Sequence, residues 1–294
     1  MADTHTPVGW LGVGAMGLPM LGHLVRAGFA VSAFDPRAER RDLAAEAGAT
    51  PVADPLTLAR QCPVLCTMVY DDAALEGVVS TLEPALSPGQ LLIDFSTVSP
   101  EASARVARVL DSLDVAYVRA PVSGSVMVAQ AGALSVFVSG PPAACERGLP
   151  LLRALSQVQR QVGEGEAARV VKLAINLLLV NHTALLGEAL ALAESWGVPR
   201  AEMVACVNGS ILGSRHTQAR AEALATRRYS GAGPLQVGAK DLDLALSMAR
   251  EKTLGLPISA YVRQYLTQLL ADGHGEVEIS KLAEFPGYSP HTPT

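Results

Sequence analysis

Along the first half of the chain, short apolar runs rich in β-branched residues alternate with stretches whose apolar positions recur at helical spacing. "VGWLG" leads through a glycine-rich turn into the helix "MGLPMLGHLVRAG", which stops at Gly28. "FAVSAFD" follows as a strand, and the helix "RAERRDLAAEAG" stops at Gly48. Asp54-Pro55 and Ser99-Pro100-Glu101 carry the cap-then-proline signature of a helix start, and Asp71 opens another helix. Between these lie the strand-like runs "VLCTMV", "QLLIDF", "VAYVRA", "LSVFVSG" and "VQRQVG". Such alternation predicts a parallel sheet with helices on both faces, a doubly wound α/β fold.

The pattern changes after "GEGE". From about Glu166 to Trp196 the chain has no proline and a single glycine, Gly187. The stretch predicts one helix about 45 Å long. Part of it is apolar all round, which predicts burial on every side. "RAEMVACVNGS", "GAKDLDLALSMAREK" and "ISAYVRQYLTQLLADG" all continue at helical spacing. The expected organisation is a dinucleotide-binding Rossmann domain over residues 1–165 and an all-α domain over 166–294 that begins with a long interdomain helix at 166–196. The ends, "MADTHTP" and "PGYSPHTPT", read as frayed tails.

Composition narrows the function classes. The 294 residues are 49% apolar and carry a net charge of −5 without long single-sign runs. A nucleic-acid or anionic-membrane surface is therefore not expected. Lys172, Asn176, Asn181 and His182 interrupt the most apolar stretch, so no membrane span is expected either. The four cysteines, Cys62, Cys66, Cys145 and Cys206, have no histidine at ligand spacing, and no metal site is expected. Without a secretory signal they read as reduced thiols in a cytoplasmic protein.

The candidate chemistry begins at Gly12-Val13-Gly14-Ala15-Met16-Gly17, which follows a strand-like run and opens a helix. The first glycine permits a tight turn, the second lets backbone approach a pyrophosphate, and the third packs helix against strand. Alone, this spacing could serve an ordinary turn. Here an acidic residue, Asp35, also ends the next strand, as a dinucleotide-binding unit requires. A carboxylate there accepts hydrogen bonds from ribose hydroxyls and repels a 2′-phosphate, which favours NAD. Arg37, Arg40 and Arg41 could offset that repulsion, so NADP stays possible.

Lys172 is the second signal. Only four of the 23 basic residues are lysines, and none precedes position 172. A chain that otherwise uses arginine has placed an amine in its most apolar helix, four residues before Asn176 and on the same face. A snorkelling lysine is the bland alternative. Proton exchange is the sharper one, because a desolvated amine can lose its proton near neutral pH and a guanidinium cannot. "APVSGS" and "IDFSTVSP" place hydroxyls and backbone N–H groups just past strands, where ligands of such folds bind. From spacing alone, Lys240-Asp241 reads as a solvated pair.

Taken together, "GVGAMGLPM", "IDFSTVSP", "APVSGS", "KLAIN" and "KDLDLAL" make the chain resemble the β-hydroxyacid dehydrogenase family over almost its full length. The resemblance implies hydride transfer between NAD(P) and a small β-hydroxyacid or its semialdehyde. It implies Lys172 as catalytic acid/base, Ser123, Gly124 and Asn176 for a small-molecule carboxylate substrate, and a homodimer or homotetramer built through the helical domain. The glycine turn, Asp35, Met68, Thr97 and Lys240 would hold the cofactor. Related imine reductases usually lack the lysine, so Lys172 counts against reduction of imines or other carbonyls, which is kept as an alternative beside a non-catalytic dinucleotide-binding protein. Three departures bear on the expected active-site rim and hence on substrate. "GEGEAARVVK" is longer than the family's spacing, Leu235 stands where phenylalanine is usual, and "MVYDD" replaces a Leu-Pro pair.

Overall fold

A computed structural model describes residues 6–231 and 233–284; residues 1–5 of the first expected tail and all of the second lie outside the described residues. The chain divides into two compact units, residues 1–172 and 173–294.

The first unit contains strands β1 (Val8–Leu11), β2 (Val31–Phe34), β3 (Thr50–Pro51), β4 (Val64–Thr67), β5 (Leu91–Asp94), β6 (Ala116–Arg119), β7 (Val122–Ser123), β8 (Leu134–Ser139) and β9 (Ser156–Gly163). Helices α1 (Gly17–Arg26), α2 (Ala38–Glu46), α3 (Pro55–Gln61), α4 (Asp72–Leu82), α5 (Pro100–Ser112), α6 (Val126–Gln130) and α7 (Pro142–Leu155) connect them. The expected caps form: Asp54, Asp71 and Ser99 accept backbone N–H groups at the starts of α3, α4 and α5.

The strand order is β3-β2-β1-β4-β5-β6-β8-β7, with β9 on β8. The first six strands are parallel in the doubly wound order. The sheet is not parallel throughout, because β8 runs antiparallel to β6 and β7. The short link through α6 explains this, since a parallel return needs a crossover of about a dozen residues or more. One apolar layer packs Met20, Leu21 and Leu24 of α1 with residues of α7 against Trp10 and Ile93. The other packs α3, α4 and α5 against Leu11, Leu65 and Leu92. With both faces covered, the central strands are largely apolar until their last residues, Thr67, Asp94 and Arg119.

Helix α8 (Ala167–Ser195) starts in the first unit and continues into the second. The second unit adds α9 (Arg200–Gly209), α10 (Arg215–Ala219), α11 (Ala221–Thr226), α12 (Leu235–Glu251) and α13 (Pro257–Ala271). Val180 of α8 packs with Leu235, Leu242, Val262 and Leu266, and Leu186 and Leu190 pack with Val204 and Leu224. Gly187 permits backbone contact here, since a Cβ would stand 2.8 Å from the Ala283 carbonyl oxygen.

Two expectations about α8 are corrected. It is not buried on every side: Leu178, Leu185 and Leu192 are 66%, 63% and 65% exposed, because no element among the described residues covers that stripe. The helix is also long and apolar enough, by length and composition alone, to cross a membrane, since its interrupting polar residues are few. Core helices of globular domains pass the same test, and its contacts with α12 and α13 are of that kind.

Candidate active site

The glycine turn follows β1. Gly12 has φ +97°, and a Cβ there would come within 2.2 Å of the Met68 carbonyl oxygen. Met68 in turn donates its N–H to Leu11 at 2.9 Å, so the "MVYDD" segment lies directly against the turn. A Cβ on Gly17 would meet the Gly12 carbonyl oxygen at 2.0 Å, and the Trp10 indole donates to that same oxygen at 2.9 Å. Gly14 faces open space, with nothing within 4 Å of its missing Cβ. Unlike α3, α4 and α5, α1 has no side-chain cap, and its first turn carries no acidic residue. Its N-terminal N–H groups are thus presented past an open glycine, which fits the pyrophosphate of a dinucleotide. Val13, Ala15 and Met16 complete the turn.

Asp35, at the end of β2, is buried and already engaged. Its carboxylate accepts the Val13 N–H at 2.9 Å and both the backbone N–H and Nε of Arg37 at 3.1 Å. Burial acts to raise its pKa, but the hydrogen bonds from Arg37 and Val13 together outweigh burial and hold it below the usual carboxylate range. Arg41 donates to the Asp35 carbonyl oxygen at 2.7 Å, so two of the three expected arginines grip the acidic corner itself.

After β5 the chain turns through Ser96 and Thr97. Ser96 is fully buried, donates to Asp94 at 2.6 Å and accepts the Val69 N–H at 2.9 Å. Thr97 beside it is half-buried. Ser123 and Gly124 lie where β7 ends, and Gly124 has φ +144°, so only a glycine sits there without strain.

Lys172 is 8% exposed. Asn176 follows one turn later on α8, and its side chain donates to Asp241 at 2.5 Å. Lys240 pairs with the other oxygen of Asp241 at 2.9 Å. The Lys240-Asp241 pair is therefore not solvated, as spacing suggested: α12 packs in the core and holds the carboxylate under Asn176. Leu235 is likewise not a rim residue. It is fully buried among Val180, Leu242 and Leu266.

Asp94, Arg169, Arg119, Glu166 and the anchoring role of Asp241 were not anticipated from sequence. Asp94 and Arg119 end central buried strands, where a charge needs a partner, and that was the available signal.

Comparison with known proteins bears on the family and the fold. Residues 7–165 match the model of the NAD binding domain of 6-phosphogluconate dehydrogenase. Residues 165–285 match the NAD-binding domain of NADP-dependent 3-hydroxyisobutyrate dehydrogenase. The chain is 31% identical to L-threonate dehydrogenase of Cupriavidus necator, covering 95% of this chain and 96% of that protein. It is 30% identical to 2-(hydroxymethyl)glutarate dehydrogenase of Eubacterium barkeri, covering 93% and 92%. In fold it is similar to 3-hydroxyisobutyrate dehydrogenase of Mycobacterium tuberculosis in a structure with L-serine, at a TM-score of 0.88, 24% identity and coverage of 95% and 98%. With the glycine turn, the doubly wound sheet and the helical second unit in place, the chain belongs to the β-hydroxyacid dehydrogenase family of NAD(P)-dependent oxidoreductases.

Proposed function

We propose that this enzyme oxidises a small β-hydroxyacid, or reduces the matching semialdehyde, with NAD as cofactor and Lys172 as acid/base. The carrying observation is the burial of Lys172, at 8% exposure, in a chain that is otherwise rich in arginine. A bound nicotinamide would supply the hydride acceptor for the alcohol carbon. The hydroxyl proton must leave in the same event if a neutral carbonyl is to form. A neutral amine at Lys172 accepts that proton, and the ammonium returns it to the carbonyl oxygen in reduction. A guanidinium would stay charged and could not.

The remaining roles are proposed with it. Ser123 and the Gly124 backbone hold the substrate carboxylate, and Asn176 orients the substrate. Gly12 to Gly17, Met68, Thr97 and Lys240 serve the cofactor, and Asp35 favours NAD. One carboxylate, Asp241, steadies both Asn176 and Lys240. Two of the relatives are named for hydroxyacids, which supports a carboxylate-bearing alcohol as substrate. A catalytically silent dinucleotide-binding protein would have no use for a buried amine in place of the arginine used through the first 171 residues.

A panel of L-threonate, 2-(hydroxymethyl)glutarate, 3-hydroxyisobutyrate and L-serine, assayed with NAD and NADP, identifies the working substrate. With it, Lys172→Arg is expected to lower kcat by about 100- to 10,000-fold. NADH affinity, read by fluorescence titration, should stay near wild type. A variant that turns over at the wild-type rate ends the acid/base assignment.

The enzyme is further proposed to work as a homodimer or homotetramer. Leu178, Leu185 and Leu192 repeat at seven-residue spacing on α8, and Trp196 one turn on is 83% exposed. A heptad stripe of exposed leucines on a stable helix calls for a partner helix.

A further inference from the structure

Lys172 sits three residues after Arg169, and both cations are buried. The side chains of Arg169 and its partner Asp94 are both 0% exposed. Arg169 spreads its donors in several directions. Nη2 reaches Asp94 and, at 3.0 Å, the Tyr117 hydroxyl; Nη1 reaches the Ser96 carbonyl at 2.6 Å; Nε reaches Ser103 at 3.3 Å. Asp94 also accepts from the Thr67 hydroxyl at 2.7 Å and from the Ser96 hydroxyl at 2.6 Å. Burial works to lower the Arg169 pKa, yet Asp94 and Tyr117 reverse this, so the guanidinium stays charged. Burial also pushes the Tyr117 hydroxyl up to about 12, which keeps it a donor.

Such a network is a poor stabiliser, because an apolar set of similar volume often serves stability as well or better. What it does supply is fixed geometry. It ties the first turn of α8 to the ends of β4 and β5, to Tyr117 within β6, to α5 and to the turn carrying Ser96 and Thr97. Two further contacts pin the same helix start: Arg119 pairs with Glu166, and the Ser139 hydroxyl accepts the Ala168 N–H at 3.1 Å.

We propose that Arg169, through Asp94, is a positioning residue for Lys172: the pair sets the rotation and register of the first turn of α8 against the sheet, and so the place of the Lys172 amine. The inference rests on Lys172 being the acid/base proposed above. It also explains the different cations. Arg169 needs a fork that a lysine cannot supply, and Lys172 needs an exchangeable proton that an arginine cannot supply. Misplacing a reacting group by about 1 Å can cost about 100-fold in rate.

The test compares Arg169→Met, Arg169→Lys and Lys172→Ala, alone and with Arg169→Met combined with Lys172→Ala, on the fastest panel substrate with NAD. Arg169→Met is expected to lower kcat by about 100-fold, with KM and the NADH dissociation constant nearly unchanged. The acid limb of its pH–rate profile should move. Arg169→Lys should not restore the rate. In the Lys172→Ala background, Arg169→Met should cost nothing further, since its effect passes through the amine. If Arg169→Met does not fold, Asp94→Asn with Arg169→Met removes the fork without leaving an uncompensated charge and takes its place in every comparison. Losses that add in the combined variant, a wild-type kcat, or a fall in NADH affinity matching the fall in kcat would each overturn the positioning role. Wild-type turnover in Lys172→Ala alone would instead overturn the acid/base reading beneath it.

Discussion

At the scale of single residues, Asp35 shows how a motif residue can have more than one task. Its carboxylate holds the Val13 N–H of the glycine turn and the side chain of Arg37 together. Arg37 is half exposed on its other side. Removing the carboxylate leaves that guanidinium without its partner, beside where a 2′-phosphate would lie. Asp35→Ala is therefore expected to raise the ratio of kcat/KM for NADP over NAD by about 10- to 100-fold, the worth of one charge-assisted hydrogen bond. Affinity for both cofactors should fall as the turn loosens. Steady-state kinetics with both cofactors read the ratio, and an unchanged ratio would show that Asp35 does not set the preference. Lys172 and Asp35 were both legible as candidates in the sequence, because each is a residue type that fits one chemistry at one place. Asp94 and Arg169 were not, since their pairing joins segments far apart in the chain and each alone resembles an ordinary charge.

At the scale of elements, the strand–turn–helix unit β1–α1 assigns different physical roles to glycines of similar appearance. Gly17 is a packing glycine, with the Gly12 carbonyl 2.0 Å from where a Cβ would be. Gly14 is open on that side, as the proposed approach of a pyrophosphate requires. Gly17→Ala should cost about 1–3 kcal/mol of stability. At about 2–4 °C per kcal/mol for a chain of this size, calorimetry or a thermal-shift assay would show it. Gly14→Ala should leave the Tm near wild type yet weaken NADH binding, because the methyl occupies the pyrophosphate's approach. Wild-type NADH affinity in Gly14→Ala would remove that turn from the cofactor site. Caps and stops at this scale were legible beforehand, since Asp54, Asp71 and Ser99 act within three residues of themselves. The reversed direction of β8 was not, because periodicity carries no sign of strand direction.

At the scale of the whole molecule, α8 belongs to both compact units, and its exposed stripe is unexplained by either. Leu185→Glu places a charge in the middle of the proposed helix seam. Light scattering after size exclusion should then show the oligomeric mass falling to that of a monomer. A wild-type chain that already runs as a monomer would end the assembly proposal.

The sequence by itself determined the fold class, the glycine turn and the amine at position 172. These depend on local periodicity, on caps and on residue types that only one chemistry suits. Tertiary structure decided which charges are buried together. It joined Asp94 to Arg169 and Asp241 to both Asn176 and Lys240, and it withdrew Leu235 into the core. Those outcomes depend on which strand ends and helix faces meet, and the energy of a buried charge is set by that meeting alone.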